Sequence, residues 1–361
     1  MPKLFKLMAL LLWAASSVSC APAIMKPAQQ TQLTYLAASD AHIARIGRTV
    51  EQPDGSLQFA YPGVRLLLGF TGKRLSFDAA SSGEQSWLEV VVDGGAPVAV
   101  HLSAKSNTFV AFDGDDVRAH RVEIMHRSET WHGTVTVSRF STDGQFAPAP
   151  ALATRKIMVL GDSVSCGEAL KRVPNENKNA TWWDPRNSYG LLLGDAFNAQ
   201  VHLVCHGGRG LVRSWNGKTD DANLPDYYNY AIADPVKPAR WDHQRWQPDL
   251  IISAIGTNDF ATGVPDREAY VKAYVGMLRE LLRNHPQAQI VLTEGAILDG
   301  ANKAALTGYI AETISRTGSA RVRAVSSLHH PGAYGDGHPT TLQHAAMARE
   351  LAPQLRAVMG W

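Results

Sequence analysis

Residues 156–167 read KIMVLGDSVSCG, and this stretch decides the fold. Residues 156–160 form a short apolar run of the length expected for a buried strand. Gly161-Asp162-Ser163 follows at once, so the serine stands where the strand ends. Downstream the pattern alternates. Residues 188–197 read as a helix, 201–204 as a strand and 249–255 (DLIISAI) as another strand. Residues 266–284 carry Val271, Tyr274, Val275, Leu278, Leu281 and Leu282 at helical spacing. A strand at 289–293, a helix at 301–317, a short strand at 322–325 and a closing helix at 340–358 complete the series. Pro339 stands near the first turn of that last helix, where proline is tolerated. Strands alternating with helices predict a doubly wound parallel sheet, whose ligands sit at the carboxyl ends of its strands.

Working towards the N-terminus, residues 147–154 open with APAPALA and read as a proline-rich hinge. Residues 35–146 change character. Apolar or alternating runs recur at 57–61, 64–70, 74–77, 87–92, 108–112, 121–125 and 134–140. Turn residues such as Pro53-Asp54-Gly55, Asp93-Gly94-Gly95 and Asp113-Gly114-Asp115 separate them. Seven or eight strands at this spacing predict an all-β jelly roll or sandwich. The expected organisation is therefore two domains, 35–146 and 155–361, joined by the hinge.

Residues 24–34 have tether composition, and residues 1–23 read as an export signal. Lys3 and Lys6 precede the apolar stretch LMALLLWAA at 7–15, which is too short to span a bilayer comfortably. Two endings fit. A small-x-small site around residues 19–23 gives a plain secreted protein, exported to the periplasm or the medium. Ser17-Val18-Ser19-Cys20 approximates a lipobox without its usual leucine, and lipidation at Cys20 would anchor the chain to a membrane. Cys166 and Cys205 remain in the mature chain, each just after a predicted strand. In an oxidising compartment they form either a disulfide or two buried thiols. A net charge of +2 without a basic stripe argues against a nucleic-acid partner.

Four segments gather on the edge where such sheets react: Gly161-Asp162-Ser163, Gly207-Gly208-Arg209-Gly210, Gly256-Thr257-Asn258-Asp259 and Asp336-Gly337-His338-Pro339. A serine hydroxyl needs a base, and His338 supplies one that titrates near neutrality. Asp336 is placed to fix the imidazole tautomer. An acyl-transfer oxyanion needs preset donors, here the Ser163 N–H, the Gly208 N–H and the Asn258 amide. Asp162 and Asp259 are expected to hold their loops by accepting backbone N–H groups. His344 is expected to pack rather than react, and His329 and His330 to lie in a loop. A zinc site drawn from His329, His330, Asp336, His338 and His344 is the rival reading, but their spacing matches no ligand motif. The expectation is no metal and no cofactor.

These four segments resemble the blocks of the SGNH (GDSL-like) hydrolase superfamily. The layout of a β jelly roll ahead of the SGNH domain is similar to carbohydrate esterase family two, the acetylxylan esterases. Gly161 through Gly167, Gly207 through Gly210 (with Gly207 where that family carries Ser) and Asp336 through Pro339 carry the resemblance. Val92-Asp93-Gly94 and residues 120–127 add short signatures in the β region. The resemblance implies a serine esterase that removes O-acetyl groups from plant cell-wall polysaccharide. Ser163 is then the nucleophile, His338 the base, and Gly208 and Asn258 part of the oxyanion hole. Some members of the family orient the histidine through a backbone carbonyl, so Asp336 and a carbonyl both stand as the third member.

Residues 181–246 hold Trp182, Trp183, Trp215, Tyr227, Tyr228, Tyr230, Trp241 and Trp246. Aromatic faces suit sugar rings, and Trp215 is the expected sugar contact, although core packing competes for each of these residues. Two other functions remain open from the residues. One is the same chemistry on a lipid or peptidoglycan ester. The other is a non-catalytic glycan-binding surface protein.

Overall fold

The computed structural model describes residues 32–332 and 337–361. The export signal, Cys20, most of the tether and Asp336 lie outside the described residues. Leu33–Trp361 forms one compact unit.

Its first half is antiparallel. The strands are β1 (Thr34–Ala37), β2 (Ala44–Ile46), β3 (Val50–Glu51), β4 (Leu57–Phe59), β5 (Arg65–Ser81), β6 (Trp87–Val92), β7 (Val98–His101), β8 (Asn107–His126), β9 (Val135–Thr142) and β10 (Gln145–Phe146). The central order is β3-β4-β9-β5-β8-β6-β7, with β1 on β9 and with β2 and β10 on β5. This is the jelly-roll or sandwich half that the alternating runs predict. Two expected breaks are absent. The runs at 64–70 and 74–77 belong to the single strand β5. The runs at 108–112 and 121–125 belong to β8, with Asp113-Gly114-Asp115 inside it. The ladder between β5 and β8 shifts register after Gly72 and again after Leu75, so the turn residues mark bulges rather than ends. Thr34, assigned to the tether by composition, already pairs with Thr142.

The second half contains β11 (Arg155–Gly161), α1 (Tyr189–Phe197), β12 (Ala199–Cys205), α2 (Leu224–Tyr227), the hairpin β13 (Tyr230–Ile232) and β14 (Ala239–Arg240), and β15 (Leu250–Ala254). It continues through α3 (Arg267–Asn284), β16 (Gln289–Leu292), α4 (Gly300–Thr317), β17 (Val322–Ala324) and α5 (Thr341–Met359). The parallel order is β12-β11-β15-β16-β17. Helix α3 begins on an Asp266 cap and buries Tyr270, Val271, Tyr274, Leu278 and Leu281. Helices α3 and α4 pack together, as do α1 and α5. The chain reverses its direction of winding at β11, so the crevice at the end of β11 is the topological switch point. Ser163 stands two residues beyond that end.

The halves share buried contacts. Arg48, fully buried, donates to Tyr230 O at 2.7 Å and lies over the rings of Tyr61, Tyr228 and Trp241. Tyr61 donates to Tyr227 O at 2.6 Å, and Tyr227 in turn donates to Gly161 O at 2.8 Å. On another side, Glu89 of β6 is buried against Lys171 (2.9 Å) and Arg186 (3.1 Å). Burial pushes the Glu89 carboxyl up, but these two cations outweigh it and hold it below its ordinary value.

Candidate active site

Strand β11 delivers Ser163 to the switch point, and the turn behind it fixes its direction. Cys166 N–H donates to Asp162 O at 3.1 Å and Glu168 N–H to Ser163 O at 3.0 Å. Asp162 accepts from Val164 N at 3.1 Å, holding the loop as its residue type suggested. Burial pushes its carboxyl up to about 6.

Ser163 Oγ donates to His338 Nε2 at 2.8 Å. His338 arrives from the segment before α5, whose Thr340 cap satisfies Gln343 N–H and is satisfied in return by the Gln343 side chain. Burial lowers the His338 pKa below its ordinary value near 6.5, and the Glu168 carboxylate works against that shift. Glu168 Oε1 is 3.7 Å from His338 Nε2 and pairs with Lys178. Neutral imidazole is therefore the resident form at neutral pH, as a base requires.

The glycine loop after β12 is held from below by Asp259. That carboxylate accepts from Leu211 N (2.8 Å), Val212 N (2.8 Å) and Arg213 N (3.2 Å). A Cβ at position 210 would lie 2.3 Å from Asp259 Oδ2, so only glycine lets the carboxylate clasp the loop. Gly208 has φ +74°, and a Cβ there would come 2.8 Å from Trp215 Cδ1. Asn258 Nδ2 donates to Arg209 O at 2.9 Å and makes a longer contact of 3.4 Å to Asp162 Oδ2. Cys166 and Cys205 are joined in a disulfide, which ties the serine loop to the end of β12.

Ser163, His338, Gly208, Asn258 and Trp215 line one open cleft of about 690 Å³. Trp215 is 61% exposed there. The other aromatics of its stretch are spent elsewhere. Trp182, Trp183, Tyr227, Tyr228 and Trp241 are buried, and Trp246 stacks on His202. His344 is buried and accepts from Tyr189 N at 3.0 Å, while His330 pairs with Glu350 at 2.9 Å. The histidines grouped by the zinc reading thus turn to different partners.

Sequence reasoning missed four residues of the site: Glu129, Trp131, Glu168 and Lys178. Trp131 comes from the antiparallel half and is 52% exposed at the cleft. Its only sequence signal is an aromatic standing between two predicted strands. Glu168 and Lys178 sit in a long loop without periodicity, where a charge carries no positional information.

Residues 45–150 match the model of the carbohydrate esterase 2 N-terminal family, and residues 159–356 match the GDSL-like lipase/acylhydrolase family. The chain is 56% identical, over 90% of its length and 91% of the relative's, to an acetylxylan esterase / glucomannan deacetylase of Cellvibrio japonicus. It is 28% identical to the cellulase/esterase CelE of Acetivibrio thermocellus, over 84% of this chain and 38% of that one. Among solved structures, a family two carbohydrate esterase from Cellvibrio japonicus superposes with a TM-score of 0.90 at 55% identity, covering 91% of this chain and 99% of that one. A family two carbohydrate esterase from Clostridium thermocellum, in complex with cellohexaose, superposes with a TM-score of 0.81 at 28% identity, covering 88% and 99%.

Proposed function

The chain belongs to carbohydrate esterase family 2, and from that premise we propose that it is a serine esterase removing O-acetyl groups from plant cell-wall polysaccharides of the acetylxylan and acetylglucomannan type. The observation that carries the reading is the 2.8 Å bond from Ser163 Oγ to His338 Nε2 at the floor of the cleft.

The reaction follows from the site. His338 Nε2 takes the Ser163 proton as Oγ attacks the acetyl carbonyl. The carbonyl oxygen becomes an oxyanion and meets the N–H groups of Ser163 and Gly208 and the Asn258 amide. Such donors stabilise the transition state because they are already aimed: Asp259 holds the glycine loop, and Arg209 O holds the Asn258 amide. The imidazolium, with the Glu168 carboxylate 3.7 Å away, returns its proton to the departing sugar oxygen. An acetyl-serine remains. Water, deprotonated by His338, attacks its carbonyl carbon; the bond to Ser163 Oγ breaks, Oγ takes the proton back from His338, and acetate leaves. Trp215 and Trp131, both lining the cleft and exposed, offer ring faces suited to pyranose faces.

The 1–23 segment is read as an export signal, and the Cys166–Cys205 disulfide supports an oxidising compartment. The intact mass of the mature protein distinguishes cleavage near residue 23 from a lipidated Cys20.

The test is acetate release from acetylated glucomannan and acetylated xylan. The wild type releases acetate, and Ser163→Ala slows release by about 10⁴-fold or more. A folded Ser163→Ala variant with wild-type rates, or a preference for long-chain over acetyl esters, overturns the reading.

A further inference from the structure

One buried acid has no part in the chemistry above. Glu129 opens a single 3₁₀ turn (Thr130–His132) between β8 and β9, in the antiparallel half, yet its side chain ends beneath the glycine loop of the other half. It is fully buried. Its Oε1 accepts from Gly207 N at 3.2 Å and from Thr130 N at 3.0 Å, and its Oε2 accepts from Trp183 Nε1 at 3.0 Å. The same turn takes a second grip on the loop, because Thr130 Oγ1 donates to Cys205 O at 2.8 Å. Glu129 Oε1 also touches Cys166 Sγ at 3.1 Å, beside the disulfide that joins the serine and glycine loops.

We infer that Glu129 is a positioning residue for the reaction proposed above: it anchors the Gly207 backbone from the antiparallel half and so fixes the Gly208 N–H that meets the oxyanion. The geometry favours this over a packing role. A buried carboxyl that no cation pairs with among the described residues is a poor choice for stability alone, since burying it costs free energy that an apolar side chain avoids. What an apolar side chain cannot do is accept the Gly207 N–H. The space is fitted to the contact as well, for a Cβ at position 207 would lie 3.2 Å from Glu129 Oε2 and 3.4 Å from Trp131 Nε1.

The charge of Glu129 follows from its surroundings. Burial first, and repulsion from Glu168 second, push its carboxyl up to about 8, against the pull of its N–H donors. Among the described residues few charged groups face it. Glu168, on the serine loop, is paired with Lys178, which lies over the Trp183 ring. On its own turn His132 is pushed down to about 4 by burial and is neutral. The disulfide and Trp183 carry no charge. Near neutral pH Glu129 is thus a neutral acceptor. Above about pH 8 it becomes an anion next to the loop that must receive a second negative charge.

The experiment measures kcat and KM of the full chain on 4-nitrophenyl acetate across pH 6–10 for wild type, Glu129→Leu and Glu129→Gln, with melting temperatures. Glu129→Leu is expected to lower kcat about tenfold or more with KM within about twofold, the pattern of a lost transition-state contact. Glu129→Gln keeps an acceptor, so it is expected to restore kcat near neutrality to within about threefold. It is also expected to remove the fall in kcat that the wild type should show above about pH 8. A folded Glu129→Leu variant with wild-type kcat overturns the inference. So does an alkaline fall that is missing in wild type or persists in Glu129→Gln, and this second outcome decides the matter if Glu129→Leu does not fold. Activity lost in Ser163→Ala but untouched in both Glu129 variants refutes only the positioning role. Activity retained in Ser163→Ala refutes the esterase reading itself.

Discussion

The two halves of this molecule contribute to one cleft in different ways. The α/β half supplies the groups that the proposed reaction assigns to the reacting atoms, Ser163, His338, Gly208 and Asn258, all of which line the cleft. Each sits just past a strand end or just before a helix, because a parallel sheet presents such ends on one edge. The antiparallel half supplies Trp131 as a wall and Glu89 and Glu129 as supports, all from its sheet or from a turn far in sequence from the serine. Chemistry placed by strand ends is readable as motifs. Support delivered across a domain contact is not, since nothing local in the chain marks it.

That contrast can be broken or sharpened by substitution. The largest effect belongs to the reacting half. His338→Ala should lower kcat by about 10⁴-fold, since His338 is the base bonded to Ser163 Oγ at 2.8 Å. In the wild type, burial holds the His338 pKa below about 6.5, so activity should persist as pH falls to that value and decline only below it. A kcat/KM profile already halved well above pH 6.5 would contradict this.

Next comes the support. Glu89→Ala removes the carboxylate that Lys171, Arg186 and Arg127 share at the contact between halves and leaves Lys171 with Asp184 and Arg186 with Glu123. The expected cost is about 1–3 kcal/mol of stability, read by urea unfolding, with KM for a small acetyl ester unchanged. The sign with pH is fixed by the lowered Glu89 pKa. Its stabilisation is present above the unfolded carboxylate value and is lost as pH falls through the folded one. A variant as stable as wild type would mean that the two halves are held by Arg48 and Tyr61 without this cluster.

The smallest effect belongs to the wall. Trp131→Ala should raise KM for acetylated polysaccharide about three- to tenfold, the loss of roughly 1 kcal/mol of ring contact, and leave 4-nitrophenyl acetate kinetics nearly unchanged. Equal effects on both substrates would move Trp131 from the sugar wall into the support of the glycine loop.

The sequence was more readable in one half than in the other. Helix α3 is legible from Val271, Tyr274, Leu278 and Leu281 because its burial follows a 3.6-residue period, and its Asp266 cap is a local hydrogen bond. The antiparallel strands were cut too short at Gly72 and at Asp113-Gly114-Asp115, because a bulge and a turn use the same residues. Only pairing with a neighbour strand tells them apart. Among the aromatics of residues 181–246 composition could not separate Trp215, exposed at the cleft, from Tyr227 and Tyr228, which bind the other half.

By itself, then, the sequence determined the two-domain class, the serine at the end of β11, its histidine and the two donor loops outside the serine's own. These follow from short-range rules, of period, capping and strand-end position, that operate within about twenty residues. Tertiary structure alone decided that Cys166 meets Cys205, that Trp131 and Trp215 line one cleft, and that Glu129 reaches under Gly207. Those contacts join residues 39 to 84 positions apart, and whether a buried carboxyl or an indole is support, wall or core depends on what the other half of the chain brings against it.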